Sequence, residues 1–393
     1  MIRSFSITKA TKNNLVLIHY NLCYMNLMCF SLVLQGCLHP LFPTVANFNI
    51  RLDDIHVSKS FCQLIKGSNR LGIRIHHGFF KQFLSNVVHI EEGKNVYLSR
   101  QTPVPINNAV WLSSCCFYNI SCSNLLGAVY VSSSNSDFSI SESTFAYCVS
   151  TNGCCGIYSS TLNHFASKIV FFDCKADYGM SLYSSCYASL SKNTEISDIS
   201  IFRMTKYVPH GPIYIGGSTG SYHDVNISHS SSSFGSFYIS GFYLHSSTLN
   251  GYRTQLCNSI SNTILLFRNT PSSSFTTHSV HNFTGISAVV CYEGAQPVIS
   301  NSFFIRNSCT YISYFYSGSN PLVLDSCVFD KSYSASLFYG SVSTPSGSFI
   351  QGTYTQPDFL VYSVNMCLNQ PTLHNRHYPS FTFFTLLLVF SME

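Results

Sequence analysis

Charge is what this sequence has least of. Asp, Glu, Lys and Arg make up 9% of its 393 residues, and no run of Lys or Arg occurs. A formal net charge of +5 over that length is no footprint for a nucleic-acid partner, and no recognised nucleic-acid module is present. Tryptophan occurs once, at Trp111, so the Trp-Asp signature of a propeller is missing. Between Asn107 and Gly340 no stretch keeps a helical apolar period with caps. That excludes helical arrays of the ankyrin or tetratricopeptide kind. The Leu-x-x-Leu-x-Leu pattern of leucine-rich repeats is absent too.

Scarce charge does not make the chain disordered. Aromatics are 15% of the residues and the mean hydropathy is +0.17, too apolar for an unfolded segment. The polar residues are mostly Ser, Asn and Thr, which hydrogen-bond without the desolvation cost of a charge. Seventeen Cys leave at least one thiol unpaired or intermolecular, and disulfides need an oxidising compartment. No two Cys-x-x-Cys pairs stand at zinc spacing. The adjacent pairs Cys115-Cys116 and Cys154-Cys155 suit a metal poorly, because successive strand residues point to opposite faces. These cysteines read first as small buried hydrophobes.

What is present is a repeat. Tyr97, Tyr130, Tyr158, Tyr183, Tyr214, Tyr238, Leu266, Val290, Tyr314 and Tyr339 follow one another at steps of about 24–33 residues, the mark of a solenoid. A second series, Phe83, Phe117, Phe145, Phe171, Phe202, Ile227, Phe304 and Phe329, runs ahead of the first. Between them lie short apolar runs bounded by Ser, Asn and Gly, such as Ser143-Thr-Phe-Ala-Tyr-Cys148 followed by Gly156-Ile-Tyr158. The expected fold is all-β: a right-handed parallel β-helix of about nine or ten coils, with Phe and Tyr stacked inside and Ser and Asn at the turns. An open coil end exposes strand edges, so an N-terminal cap is expected. Four segments follow: 1–52 as a signal or anchor, 53–106 as a cap with a first coil, 107–340 as the β-helix, and 341–393 as a C-terminal cap with an apolar tail.

Both ends carry apolar segments. Arg3, Lys9 and Lys12 precede Leu15–Leu34, which is the layout of a secretory signal or signal anchor. Phe381–Phe390 is too short to span a bilayer as a helix. Membrane attachment through a terminal segment and a surface or secreted location are the expectations.

With both series in view, the chain resembles the polymorphic outer-membrane proteins of chlamydiae and their counterparts in trichomonad protists. That family repeats Gly-Gly-Ala-Ile and Phe-x-x-Asn. The first element is matched by Gly127-Ala-Val-Tyr130, Gly156-Ile-Tyr158 and Gly211-Pro-Ile-Tyr214. The second is matched by Phe83-Leu-Ser-Asn86 and Phe304-Ile-Arg-Asn307, with Cys in place of Asn at Cys148 and Cys174. The resemblance covers Phe83 to Tyr339 and implies a surface-exposed, adhesive β-helix.

The same fold hosts pectate lyases and polygalacturonases, so a carbohydrate-active enzyme is the alternative. Glycan hydrolysis needs two carboxylates facing one bond, about 5–10 Å apart. The acids of the rod are sparse; Asp173 and Asp177 lie near one turn, and Asp198 and Asp224 fall on nearby coils. The Asn-Thr-Asp, Asp-Asp and Arg-Ile-Lys elements of polygalacturonases are missing from the rod, and no Asp cluster suits Ca²⁺. His76-His77 and His374 with His377 lack a third metal ligand at suitable spacing. Asn119, Asn226 and Asn282 head N-glycosylation patterns, with Asn119 and Asn226 expected in strands. No catalytic, cofactor-binding or metal residue is assigned. The expected activity is non-catalytic binding of a protein or glycan along a lateral face, through exposed residues such as Tyr187, Asn193 and Tyr222.

Overall fold

Alternation decides which side chains enter the interior. In Val110-Trp-Leu112, Phe138-Ser-Ile140 and Thr194-Glu-Ile196 the outer two residues are buried and the middle one is not, as a period of two requires. In the computed structural model these segments stack into a parallel β-solenoid. The structure describes residues 48–68, 71–91, 109–122, 127–151, 153–176, 180–185, 193–206, 212–216, 219–232, 239–245, 248–261, 263–268, 273–292, 295, 297–315, 322–329, 338–340 and 342–343, with strands at 5–10, 15–20, 25–30, 33–35 and 42–43. All regular structure among them is strand, and the number of turns is close to that expected.

A coil has three faces. On the first, Ile73, Val110, Phe138, His164, Thr194 and Gly220 lie in register. On the second, Phe80, Phe117, Phe145, Phe171, Ile201, Ile227, Leu256, Val280, Phe304 and Phe329 do. On the third, the row is Val88, Val129, Ile157, Leu182, Ile213, Phe242, Leu265 and Val289. Phe5–Ala10 and Leu15–Tyr20 differ in forming an antiparallel pair.

The second-face row is the Phe series with three changes. Its member is Phe80, not Phe83, which is the inward residue of the next corner. Ile201 replaces Phe202, which points outward. Leu256 and Val280 fill coils where no aromatic marks the place. Fully buried rings stack along this row: Phe117 on Phe145 at 4.5 Å and Phe145 on Phe171 at 4.9 Å. Each such pair adds about 0.5–1.5 kcal/mol beyond the area it buries.

The Tyr series holds in register but on the other side of the sheet. Tyr158 sits between buried Ile157 and Ser159, so it faces out, as do Tyr130, Tyr183 and Tyr214. The expectation of Tyr stacked inside is corrected: the inner rows belong to the aliphatic neighbours. His89 precedes Tyr130, and Tyr243 follows Tyr214. Tyr97 and Tyr238 lie outside the described residues.

The segment expected as a cap carries coils as well. Phe48–Asp53, His56–Ser60, Ile65–Ser68, Leu71–His76, Phe79–Phe83 and Val88–Glu91 pair in parallel with each other and with the coils that follow. Arg74 sits at an outward place between the inward Ile73 and Ile75, as in an ordinary coil.

Corners bend the chain by taking single residues into the left-handed region, among them Asp54, Asn119, Asp173, Asp198, Asp224 and Asn282. Asn and Asp tolerate that conformation best. Their N–H groups bond along the axis, as Asp173 N donates to Phe202 O at 2.9 Å. The residue after the corner turns inward and donates to the coil before. Cys148 Sγ reaches Phe117 O, Cys174 Sγ reaches Phe145 O, both at 3.5 Å, and Asn307 Nδ2 reaches Val280 O at 2.9 Å. Cys therefore does in Phe-x-x-Cys what Asn does in Phe-x-x-Asn. Asn86 is not in that place, because Phe83 is not the row residue.

The interior is not wholly apolar. His164 and Thr194 are stacked neighbours on the first face, both buried, with no side-chain hydrogen-bond partner. Burial depresses the His164 imidazole to about 3. One row over, Tyr222 is fully buried, and the missing side chain of Gly251 makes room for it: a Cβ there would lie 2.2 Å from the Tyr222 ring.

Candidate interaction surface

The outward Tyr row gives the third face its character. Tyr130 stacks on Tyr158 at 4.9 Å, Tyr158 on Tyr183 at 4.4 Å, and Tyr183 on Tyr214 at 4.7 Å. His89 extends the stack from Tyr130 at 4.9 Å, and Tyr314 stacks on Tyr339 at 4.5 Å. The steps follow the strand spacing, so the rings lie flat on one another. Their faces are covered, and they offer edges to the surroundings.

At the corner between the second and third faces a second aromatic stripe forms. Tyr118, Tyr147, Phe172, Phe202 and His229 touch in sequence at 5.5, 5.6, 5.7 and 4.8 Å. The Arg203 guanidinium lies 4.6 Å over Phe172 and pairs with Asp173 at 3.4 Å. On the other corner Lys168 pairs with Glu142 at 3.2 Å, and Ser114 donates to the same carboxylate. These bonds hold the Glu142 carboxyl below its usual range. Trp111 on the first face is 41% exposed, with the Arg74 guanidinium 4.6 Å over its ring.

The carboxylates are distributed as follows. Asp198 and Asp224 occupy the same corner on adjacent coils, and Asp224 pairs with His223 at 2.8 Å. Asp173 is on the opposite corner. Asp177 lies outside the described residues, as do His374, His377 and the Phe381–Phe390 tail. His77 pairs with Asp54 at 3.4 Å, and His76 Nδ1 meets Ser113 Oγ at 2.8 Å. Among the described residues no three His, Cys, Asp or Glu side chains are grouped to hold a metal ion, and no helix is long and apolar enough to cross a membrane.

The exposed residues expected from sequence are only partly exposed. Asn193 is at the surface, Tyr222 is in the core, and Tyr187 lies outside the described residues. Asn119 is an exposed corner residue rather than a strand residue, Asn282 is exposed at the same corner, and Asn226 is buried on a strand. The described free cysteines are buried apart from Cys309, which is partly covered. Burial pushes the Cys115 and Cys122 thiols up to about 12, which makes them inert. Cys116, on the outward side of its strand, is in a disulfide whose partner lies outside the described side chains.

Comparison with protein-family models, with curated proteins and with solved structures finds no match to this chain.

Proposed function

We propose that the chain is a non-catalytic binding rod, secreted or displayed at a cell surface, that engages a protein or glycan along a lateral face. One observation carries the reading. The outward row repeats at the coil spacing with Tyr130, Tyr158, Tyr183 and Tyr214 on four consecutive coils, so the same contact is offered several times over. Repeated weak contacts sum to avidity without any strong single site. Tyr suits this role because it gives a large contact area with few rotatable bonds.

The resemblance to polymorphic outer-membrane proteins supports the surface role. Its glycine element opens the third-face strands here. Gly127 has φ +59°, and a Cβ on Gly156 would lie 2.4 Å from the Phe171 ring. A disulfide at Cys116 suits an oxidising compartment, and Asn119 and Asn282 are exposed where glycosylation would reach them. Attachment to a membrane would run through a terminal segment; within Leu15–Leu34, Leu15–Tyr20 and Met25–Phe30 are strands, the second stacked on Phe48–Asp53.

The test is to bind the full chain to glycan arrays, mucin and cell surfaces, and to incubate it with pectin and chitin. Binding without new reducing ends or unsaturated products is expected. Turnover that Asp198→Asn abolishes would favour the carbohydrate-active enzyme instead.

A further inference from the structure

On the first face one outward row runs Arg74, Trp111, Ser139, Phe165 and Glu195 on consecutive coils. Where three aromatics hold such consecutive places elsewhere, they stack ring on ring, as Tyr158, Tyr183 and Tyr214 do at 4.4 and 4.7 Å. Here the middle place is a serine. Trp111 and Phe165 are therefore two coils apart, about 9–10 Å at a strand spacing of about 4.8 Å. They are 41% and 36% exposed, among the most exposed large hydrophobics described. Arg74 covers the indole from the preceding coil, at 4.6 Å. The indole face left open is the one towards Ser139. Trp111 and Phe165 thus flank a gap one coil wide, with the Ser139 hydroxyl between them.

We propose that this slot binds one neutral pyranose ring of a glycan, held between Trp111 and Phe165. A ring seated midway lies about 4.8 Å from each aromatic plane, the separation at which the Tyr rings stack. The C–H face of a pyranose is complementary to the negative face of an aromatic ring. The flanks of the slot are polar. On one side is Ser141; on the other Asn163 Nδ2 donates to Asp137 Oδ1 at 2.7 Å, which leaves the second Asp137 oxygen free of that bond. Hydroxyl, amide and carboxylate groups on both sides match the hydroxyl-rich edge of a sugar. An aromatic side chain of a partner protein would use the two faces and leave these groups unbonded. Asp137 and the exposed Glu195 disfavour an anionic sugar.

This assignment rests on the lateral-binding reading and names its ligand. Trp111 is the only tryptophan, so its emission reports the slot. The full chain would be titrated with cellohexaose and chitohexaose, with N-acetyltyrosinamide as the aromatic probe, by fluorescence and calorimetry. A saturable change with an oligosaccharide is expected. Phe165→Ala should weaken it on the order of tenfold or more. Ser139→Phe, which fills the slot, should abolish it while circular dichroism and melting are retained. Ser326→Ala, at an exposed corner several coils away, should leave it unchanged. No response to either oligosaccharide, a response to N-acetyltyrosinamide alone, or full binding by Ser139→Phe would overturn the assignment. Surface binding separates the two readings: Ser139→Phe that still binds mucin or cells leaves the lateral-face reading standing and removes the slot, whereas a wild-type chain that binds no surface removes the broader reading.

Discussion

Mild acid should destabilise this protein through two interior histidines, and replacing one of them should relieve half of the effect. His164 lies between Phe138 and Thr194 with neither ring nitrogen bonded. His278 is equally buried. Burial lowers His164 to about 3 and His278 to about 4, from an ordinary 6.5, with the Gly251 carbonyl partly countering the shift in His278. The unfolded chain takes up a proton at each histidine below the ordinary value, and the folded chain does not until the depressed one. Stability is therefore full above 6.5 and falls as the pH drops towards 4 and 3. At about 1.4 kcal/mol per unit, each histidine costs about 2.7 kcal/mol at a pH of about 4.5. Two such losses are a large part of the roughly 5–15 kcal/mol that holds a domain folded. His164→Leu removes two buried unbonded nitrogens, which should add about 1–3 kcal/mol at neutral pH. The gap to the wild type should then widen by about 2.7 kcal/mol on acidification. Urea midpoints measured at both pH values would show it. Equal pH dependence in wild type and His164→Leu would refute the argument.

Phe145→Ala should cost about 3–5 kcal/mol in urea unfolding, because the ring is fully buried in the Phe117–Phe171 stack. The exposed corner change Lys168→Ala should cost under about 1 kcal/mol. Gly251→Ala should cost about 1–3 kcal/mol through its clash with the Tyr222 ring, and Tyr222→Leu in the same chain should recover part of the loss. Tyr183→Ala removes two outward stacking contacts and should lower stability by about 1–3 kcal/mol without unfolding the chain. Circular dichroism of the chain should show strand signal with little helix.

The period, the fold class and the Phe stack were legible because each coil must put an apolar residue at the same place. Which of two apolar neighbours faces in was not. In Gly156-Ile-Tyr158 both residues are hydrophobic, and only the pairing with Leu182 and Tyr183 decides that Ile157 is inside. The same ambiguity misplaced Phe83 for Phe80 and Phe202 for Ile201. Coils with no aromatic at that place, at Leu256 and Val280, left gaps in the series. The segment 53–106 was expected as a cap with a first coil, and its strands instead pair as further coils, with Arg74 at an outward place. The slot was hidden for a related reason. Trp111, Ser139 and Phe165 are far apart in sequence and become neighbours only once the register of three coils is known.

Distances along one outward row test the register, and with it the repeated lateral face, most directly. Spin labels carried on ketone-bearing unnatural residues, which leave the native cysteines alone, would be placed in pairs on the full chain. Ser139 would be paired in turn with Glu195, Ser221, Asn250 and Ser274, which follow it on successive coils of the same row. Pulsed electron resonance should give separations that grow in equal steps, to about 10, 14, 19 and 24 Å at one strand spacing per coil. Separations that do not rise evenly with coil number would contradict the stacked parallel coils and the surface built on them.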